Sequence, residues 1–151
     1  MVDCVTALNE KPAIGQNVVV VGGGLVGCET AVGYAREGKT VTLVEALPKI
    51  LSAGIPVPES HDQMLRDLLD EGKVTVKTSC PLEGVTDTGV VAGGETIPAD
   101  SVVLAVGFRP RASLASGLYG AGMEIYQVGD GARVGSVMTA VADGYTIGRK
   151  I

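Results

Sequence analysis

The apolar positions of this chain change period several times, and each change marks an element. Asn17 to Val21 ends in the valine run Val18-Val19-Val20-Val21. A short β-branched run closed by glycines predicts a strand buried on both faces, as in a parallel sheet. From Leu25 to Glu37 the period becomes helical, with Cys28, Ala31, Val32 and Ala35 on one face. Gly38 supplies a C-terminal stop for that helix. Thr40 to Val44 predicts a second strand, ending at Glu45. Residues 17–45 therefore have the order and size of a strand–turn–helix–strand unit. Pro48 and the stretch from Ala53 to Pro58 predict a loop. Glu59 to Glu71 predicts a helix ended by Gly72, with Met64, Leu65, Leu68 and Leu69 as its inner face. Val74 to Val76 predicts a third strand.

Beyond Pro81 the apolar pieces shorten. Val85, Val90-Val91 and Ile97 are separated by Asp87-Thr88-Gly89 and Gly93-Gly94, which predicts a three-stranded antiparallel meander with tight turns. Ser101 to Val106 reads as another buried strand, closed by Gly107. Pro110 and the stretch from Gly117 to Gly122 read as loops, and Glu124 to Val128 as a final strand. Ser136 to Arg149 predicts a helix weakened by Gly144 and Gly148. The pattern as a whole predicts an α/β, Rossmann-like three-layer domain, with a central parallel sheet and a small antiparallel β-meander.

Composition narrows the function classes. The chain has 151 residues, 46% hydrophobic and 19% charged, which fits one folded domain and excludes a disordered tail. Its 22 glycines have no three-residue period, so collagen is excluded. Aromatic content of 3% and a net charge of −5 argue against a nucleic-acid partner, which needs stacking platforms and basic groups. Cys4, Cys28 and Cys80 lie far apart, with no C-x-x-C. That spacing argues against a metal site or a dithiol motif and fits a reducing, cytoplasmic compartment. The start of the chain lacks a basic-then-apolar signal pattern. The longest apolar stretch, Val18 to Cys28, is broken by glycines and too short for a bilayer, so no membrane partner is expected.

Chemistry concentrates at Gly22-x-Gly24-x-x-Gly27. This spacing carries weight because it follows a buried strand, opens an amphipathic helix and precedes an acid at the end of the next strand. Gly22 permits the tight turn, Gly24 lets a pyrophosphate approach the backbone, and Gly27 lets the helix pack closely. Free amides and the positive dipole end of the helix would hold the phosphates. Glu45 would accept hydrogen bonds from the ribose hydroxyls of a bound dinucleotide. A 2′-phosphate about 4 Å from this carboxylate would be repelled by ~1 kcal/mol in water and ~4 kcal/mol at a partly buried site. Lys49 is the one cation between Glu45 and His61, so NADH is expected over NADPH. Glu29 is read in the first helical turn, where dipole stabilisation alone accounts for it. Cys28 is read as a small packing residue, although a helix start can acidify a thiol. His61 reads as a solvated loop residue without an acid nearby, and Asp67, Asp70 and Glu71 as a wet helix face. The residues assign no catalytic group and no metal ligands.

The segment from Val18 to Ala31 resembles the NAD(H)-binding domain of the pyridine-nucleotide flavoprotein reductases. It is most similar to the 2-enoate reductase and 2,4-dienoyl-CoA reductase (NADH:flavin oxidoreductase) group. Ala99 to Pro110 resembles the strand-and-glycine motif late in such domains. Val128-Gly129-Asp130-Gly131, with the helix from Ala140 to Ile151, resembles the segment that returns into an FAD domain. The resemblance divides the chain into a lead-in at 1–16, an NAD(H)-binding domain at 17–122 and a return segment at 123–151. It implies that Gly22, Gly24 and Gly27 hold the pyrophosphate and Glu45 the adenosine ribose, with Gly23, Leu25 and Val26 in the same cofactor-binding loop. Glu29 would lie near the nicotinamide carboxamide, Gly107 near the dinucleotide, and Asp130 at the flavin ribityl chain. FAD, with FMN and an iron–sulfur cluster in other domains, would complete the parent enzyme. With a single glycine fingerprint, the chain is expected to be an excised domain lacking its FAD domain and inactive alone. It could associate with a second copy through its C-terminal segment. An FAD-binding Rossmann domain and a non-catalytic dinucleotide sensor or interaction module remain alternatives at this stage.

Overall fold

A computed structural model describes every residue except Ile55 and Ala112, and only the backbone of Ser113. The chain divides into two compact units, Met1–Gly107 and Phe108–Ile151. The boundary falls after Gly107, whereas the sequence motifs suggest divisions after residues 16 and 122.

In the first unit the strands are β1 (Val2–Asp3), β2 (Asn17–Val21), β3 (Thr40–Val44), β4 (Thr75–Lys77) and the antiparallel trio β5 (Leu82–Thr86), β6 (Gly89–Ala92) and β7 (Glu95–Pro98), followed by β8 (Ser101–Leu104). The helices are α1 (Cys4–Asn9), α2 (Leu25–Arg36) and α3 (Glu59–Glu71). A five-stranded sheet runs in the order β1-β8-β2-β3-β4, and all its pairings are parallel. The meander β5-β6-β7 forms a second, antiparallel sheet.

Strand alternation explains the layering. Val18 and Val20 pack with Cys28, Ala31, Leu65 and Leu69 of the helices. Val19 and Val21 point the other way, onto Val90, Ala92 and Ile97 of the meander. A strand buried on both faces needs a continuous apolar run, which is what the valines supply. The expected α/β three-layer architecture is therefore present.

Several local expectations are corrected. The lead-in segment, to which the pattern assigns no element, holds β1 and α1. Val2 pairs in register with Val103, and Asp3 caps α1 by accepting N–H bonds from Val5 and Thr6, both at 3.0 Å. The third strand is shifted by one residue to Thr75–Lys77, and β8 stops at Leu104. Met64 is exposed rather than part of the inner face of α3, where Leu65 and Leu69 are the buried pair.

The second unit holds a short helix, α4 (Ser113–Leu118), within a stretch expected to be loop. No strand forms over Glu124 to Val128. A 3-10 turn at Gly129–Gly131 precedes α5 (Val137–Gly148). Ser136 starts α5 with a reciprocal cap: its hydroxyl accepts the Thr139 N–H at 3.2 Å, and Thr139 Oγ1 accepts the Ser136 N–H at 2.9 Å. Among the described residues, no helix is long and apolar enough to cross a membrane.

Candidate functional site

The site lies at the carboxyl ends of β2, β3 and β8. The chain leaves β2 toward β3 on one side, while β8 flanks it on the other, so the strand ends form a topological switch point. Gly22 has φ +107°, and a Cβ there would run into the carbonyl of Ala105 at the end of β8. A Cβ on Gly27 would run into the Gly22 carbonyl, so the helix start packs directly on the loop. Gly24 differs from both. A Cβ there meets nothing within 4 Å, and the residue lines the cleft. A side chain at Gly24 would thus enter the space a ligand needs, without disturbing the fold.

Helix α2 begins without a side-chain cap, because Gly24 is its N-cap. Its ladder starts with the Cys28 N–H donating to the Gly24 carbonyl at 3.0 Å. The amides of Gly24, Leu25, Val26 and Gly27 precede that ladder and are available to an anion. The cleft over the strand ends is about 570 Å³. Its walls come from Val21, Gly22 and Gly24, from Val44 to Ala46, from Ala53 and Gly54, from Cys80 to Leu82, and from Ala105 to Gly107. Among the described residues, no lysine, arginine or histidine lines it. Phosphate would have to be held by backbone donors and the helix dipole.

Glu45 is half-buried just beyond β3. Its Oε2 accepts the Gly23 N–H at 2.6 Å and its Oε1 accepts the Leu47 N–H at 2.7 Å. Each carboxylate oxygen can accept a further bond, so the group can take hydroxyl donors while holding the loop. Gly107 has φ +95° and borders the same cleft. The structure therefore brings the glycine loop, Glu45 and Gly107 around one cavity, whose size lies in the range of small-molecule sites.

The other candidates sit elsewhere. Glu29 lies in the second turn of α2 rather than the first, exposed, with Oε1 3.8 Å from His61 Nε2. His61 belongs to α3, not to a loop, and does have an acid beside it. Exposed pairs of this kind contribute little to stability. Cys28 is fully buried, with Sγ 3.5 Å from the Gly23 carbonyl. Burial pushes its thiol up to about 12, opposite to the acidification that a helix start can produce. Asp67, Asp70 and Glu71 are exposed. In the second unit Asp130 is exposed, and its Oδ1 accepts the Gly135 N–H at 2.9 Å, as a turn aspartate does.

Ala46, Ala53 and Gly54 complete a wall that no sequence motif marks. Their small size inside a proline-bearing loop is the only available signal. Leu51 carries none, since leucine rarely adopts its left-handed φ of +58°.

Residues 2–138 match the family described as pyridine nucleotide-disulphide oxidoreductase. The chain is 36% identical over 148 residues to the cinnamate reductase of Clostridium sporogenes, covering 95% of this chain and 22% of that protein. It is 34% identical over 142 residues to the NADH oxidase of Thermoanaerobacter brockii, covering 90% and 21% respectively. The solved structure of 2-naphthoyl-CoA reductase with 2-naphthoyl-CoA superimposes with a TM-score of 0.84 at 32% identity, covering 97% of this chain and 23% of that one. The chain thus spans about a fifth of the length of these relatives. Fold, glycine loop and sequence agree: the chain belongs to the pyridine nucleotide-disulphide oxidoreductase family, whose members use NAD(H) and FAD.

Proposed function

We propose that this chain is the NADH-binding part of a flavin-dependent reductase acting on an α,β-unsaturated acid or its CoA thioester. The names of two relatives, a cinnamate reductase and a naphthoyl-CoA reductase, support that substrate class. The observation that carries the nucleotide reading is the 2.6 Å bond from the Gly23 N–H to Glu45. It sets a half-buried carboxylate beside the amides that open α2. In this reading Gly22 to Gly27 hold the pyrophosphate, Glu45 takes the adenosine ribose hydroxyls, and Gly107 lies along the dinucleotide. Bound NADH supplies a hydride, and the chain's own part is to bind, orient and exclude the 2′-phosphate form. Although neither lines the cleft, Glu29 is assigned to the nicotinamide carboxamide and Asp130 to a flavin site shared with the FAD domain. FMN and an iron–sulfur cluster belong to further domains.

The protein partner we assign is the FAD domain of the parent enzyme, in a cytoplasmic setting that the free cysteines Cys4, Cys28 and Cys80 suit. Alone, the chain should bind NADH yet be colourless and pass no electrons from it to dyes. Calorimetry tests the assignment. NADH should bind about tenfold or more tightly than NADPH, as a repulsion of about 1.4 kcal/mol gives. Glu45→Ala should weaken NADH and narrow that ratio. Equal affinities in the unaltered chain would remove Glu45 from the role.

A further inference from the structure

The loop between β3 and α3 is fastened to the glycine loop at both sides of one residue. Gly23 donates its N–H to Glu45 Oε2 at 2.6 Å, and its carbonyl accepts the Leu51 N–H at 2.8 Å. The fit is close. A Cβ on Gly23 would stand 2.7 Å from Ile50 Cγ2 and 2.9 Å from the Glu45 Cβ. Leu51 makes its bond from a left-handed backbone, φ +58°, with its side chain buried. A non-glycine residue persists there only when its surroundings determine it. Beside the Gly23 bond and the buried side chain, one further constraint on this segment comes from α3. An Arg66 Nη donates to the Ile50 carbonyl at 3.2 Å, immediately before Leu51. Arg66 is itself oriented by Asp62, through a short Nε–Oδ1 contact and a second bond at 3.3 Å. Leu65 and Leu69, buried beside it, anchor α3 on the sheet.

We propose that Arg66 is a positioning residue for nucleotide binding: through Ile50 and Leu51 it fixes the Gly23 peptide and the loop that walls the adenosine end of the cleft. Arg66 does not line the cleft, so it acts through the loop and not by touching the ligand. The inference rests on the NADH reading and deepens it. Ile50 and Leu51 lie between Glu45 and the cleft-lining pair Ala53 and Gly54, on the side assigned to adenosine. Loss of the arginine should therefore act on the adenosine half of the ligand.

The test compares Arg66→Met, Arg66→Lys and Asp62→Asn with the unaltered chain, titrated with NADH, ADP-ribose and reduced nicotinamide mononucleotide. Arg66→Met should weaken NADH and ADP-ribose about tenfold, the size of losing one charge-assisted bond, and leave the mononucleotide unchanged. Arg66→Lys should recover most of the loss. Asp62→Asn, which keeps the arginine, should show a smaller loss in the same order. In ligand-free protein, Arg66→Met should move the Gly23 and Leu51 amide resonances. Equal weakening of all three nucleotides in step with a lowered melting temperature, or no recovery by lysine, would make Arg66 merely structural and overturn the proposal. Unmoved Gly23 and Leu51 resonances would overturn it whether or not nucleotide binds. Failure of the unaltered chain to bind any nucleotide would instead refute the NADH reading.

Discussion

Helices α3 and α5 are nearly equal in length, 13 and 12 residues, and they end up in opposite conditions. α3 is rich in charge, yet Leu65 and Leu69 are 2% and 1% exposed. α5 is the more apolar of the two and has no fully buried residue: Val137 is 82% exposed and Met138 79%. Apolar content alone does not make a core. α3 has a sheet and a neighbouring helix to meet, while α5 presents Val137, Met138, Val141 and Tyr145 to solvent. The first unit closes two hydrophobic clusters on opposite faces of its sheet. The second unit has the cap and the length of a helix, but α5 carries no buried residue.

The largest expected difference is in hydrogen exchange. Amides of β2 and β3 should exchange at least about a thousandfold more slowly than those of α5, because core strands open only with global unfolding. Comparable protection in α5, measured on a monomer at low concentration, would break the contrast. Mutational cost should follow the same division. Leu43→Ala removes a fully buried side chain and should cost about 2–5 kcal/mol in denaturant unfolding. Val141→Ala on the exposed face of α5 should stay within about 0.5 kcal/mol. A large effect at Val141 would show that α5 is covered in solution.

A smaller effect concerns Cys28. Its folded-state thiol titrates at about 12, above the ordinary value of 9.0. Between these values the unfolded chain loses the proton and the folded chain keeps it. Stability linked to Cys28 is therefore full below pH 9.0 and declines as pH rises toward about 12. The decline should be at most about 1.4 kcal/mol per pH unit. Thermal melts from pH 8 upward should show a shallower fall for Cys28→Ala than for the unaltered chain. Identical slopes would mean that the thiol is less buried than the structure has it.

What the sequence made legible follows from how local the signals are. The valine run of β2, the glycine spacing and the acid after β3 each state their role within a few residues. β1 was hidden because two residues carry no period, and its existence depends on pairing with β8. The Glu124 to Val128 stretch has strand-like residues, but no ladder accepts it in this chain. At the cleft, the glycine turn and the acid after β3 were legible as sequence features, and the structure places them together. The placement of Ala46, Ala53 and Gly54 along the cleft and the bond from Arg66 to the Ile50 carbonyl could not, because they arise from tertiary contacts across the β3–α3 connection.

The most direct test of the central claim is an NMR titration of the chain with NADH. The account predicts that the amides of Gly23 to Gly27, Glu45 to Leu47 and Ala105 to Gly107 shift together and saturate at a common affinity, while those of α5 stay in place. Saturable binding that left the Gly23 to Gly27 amides unmoved, or no binding at millimolar NADH, would contradict it.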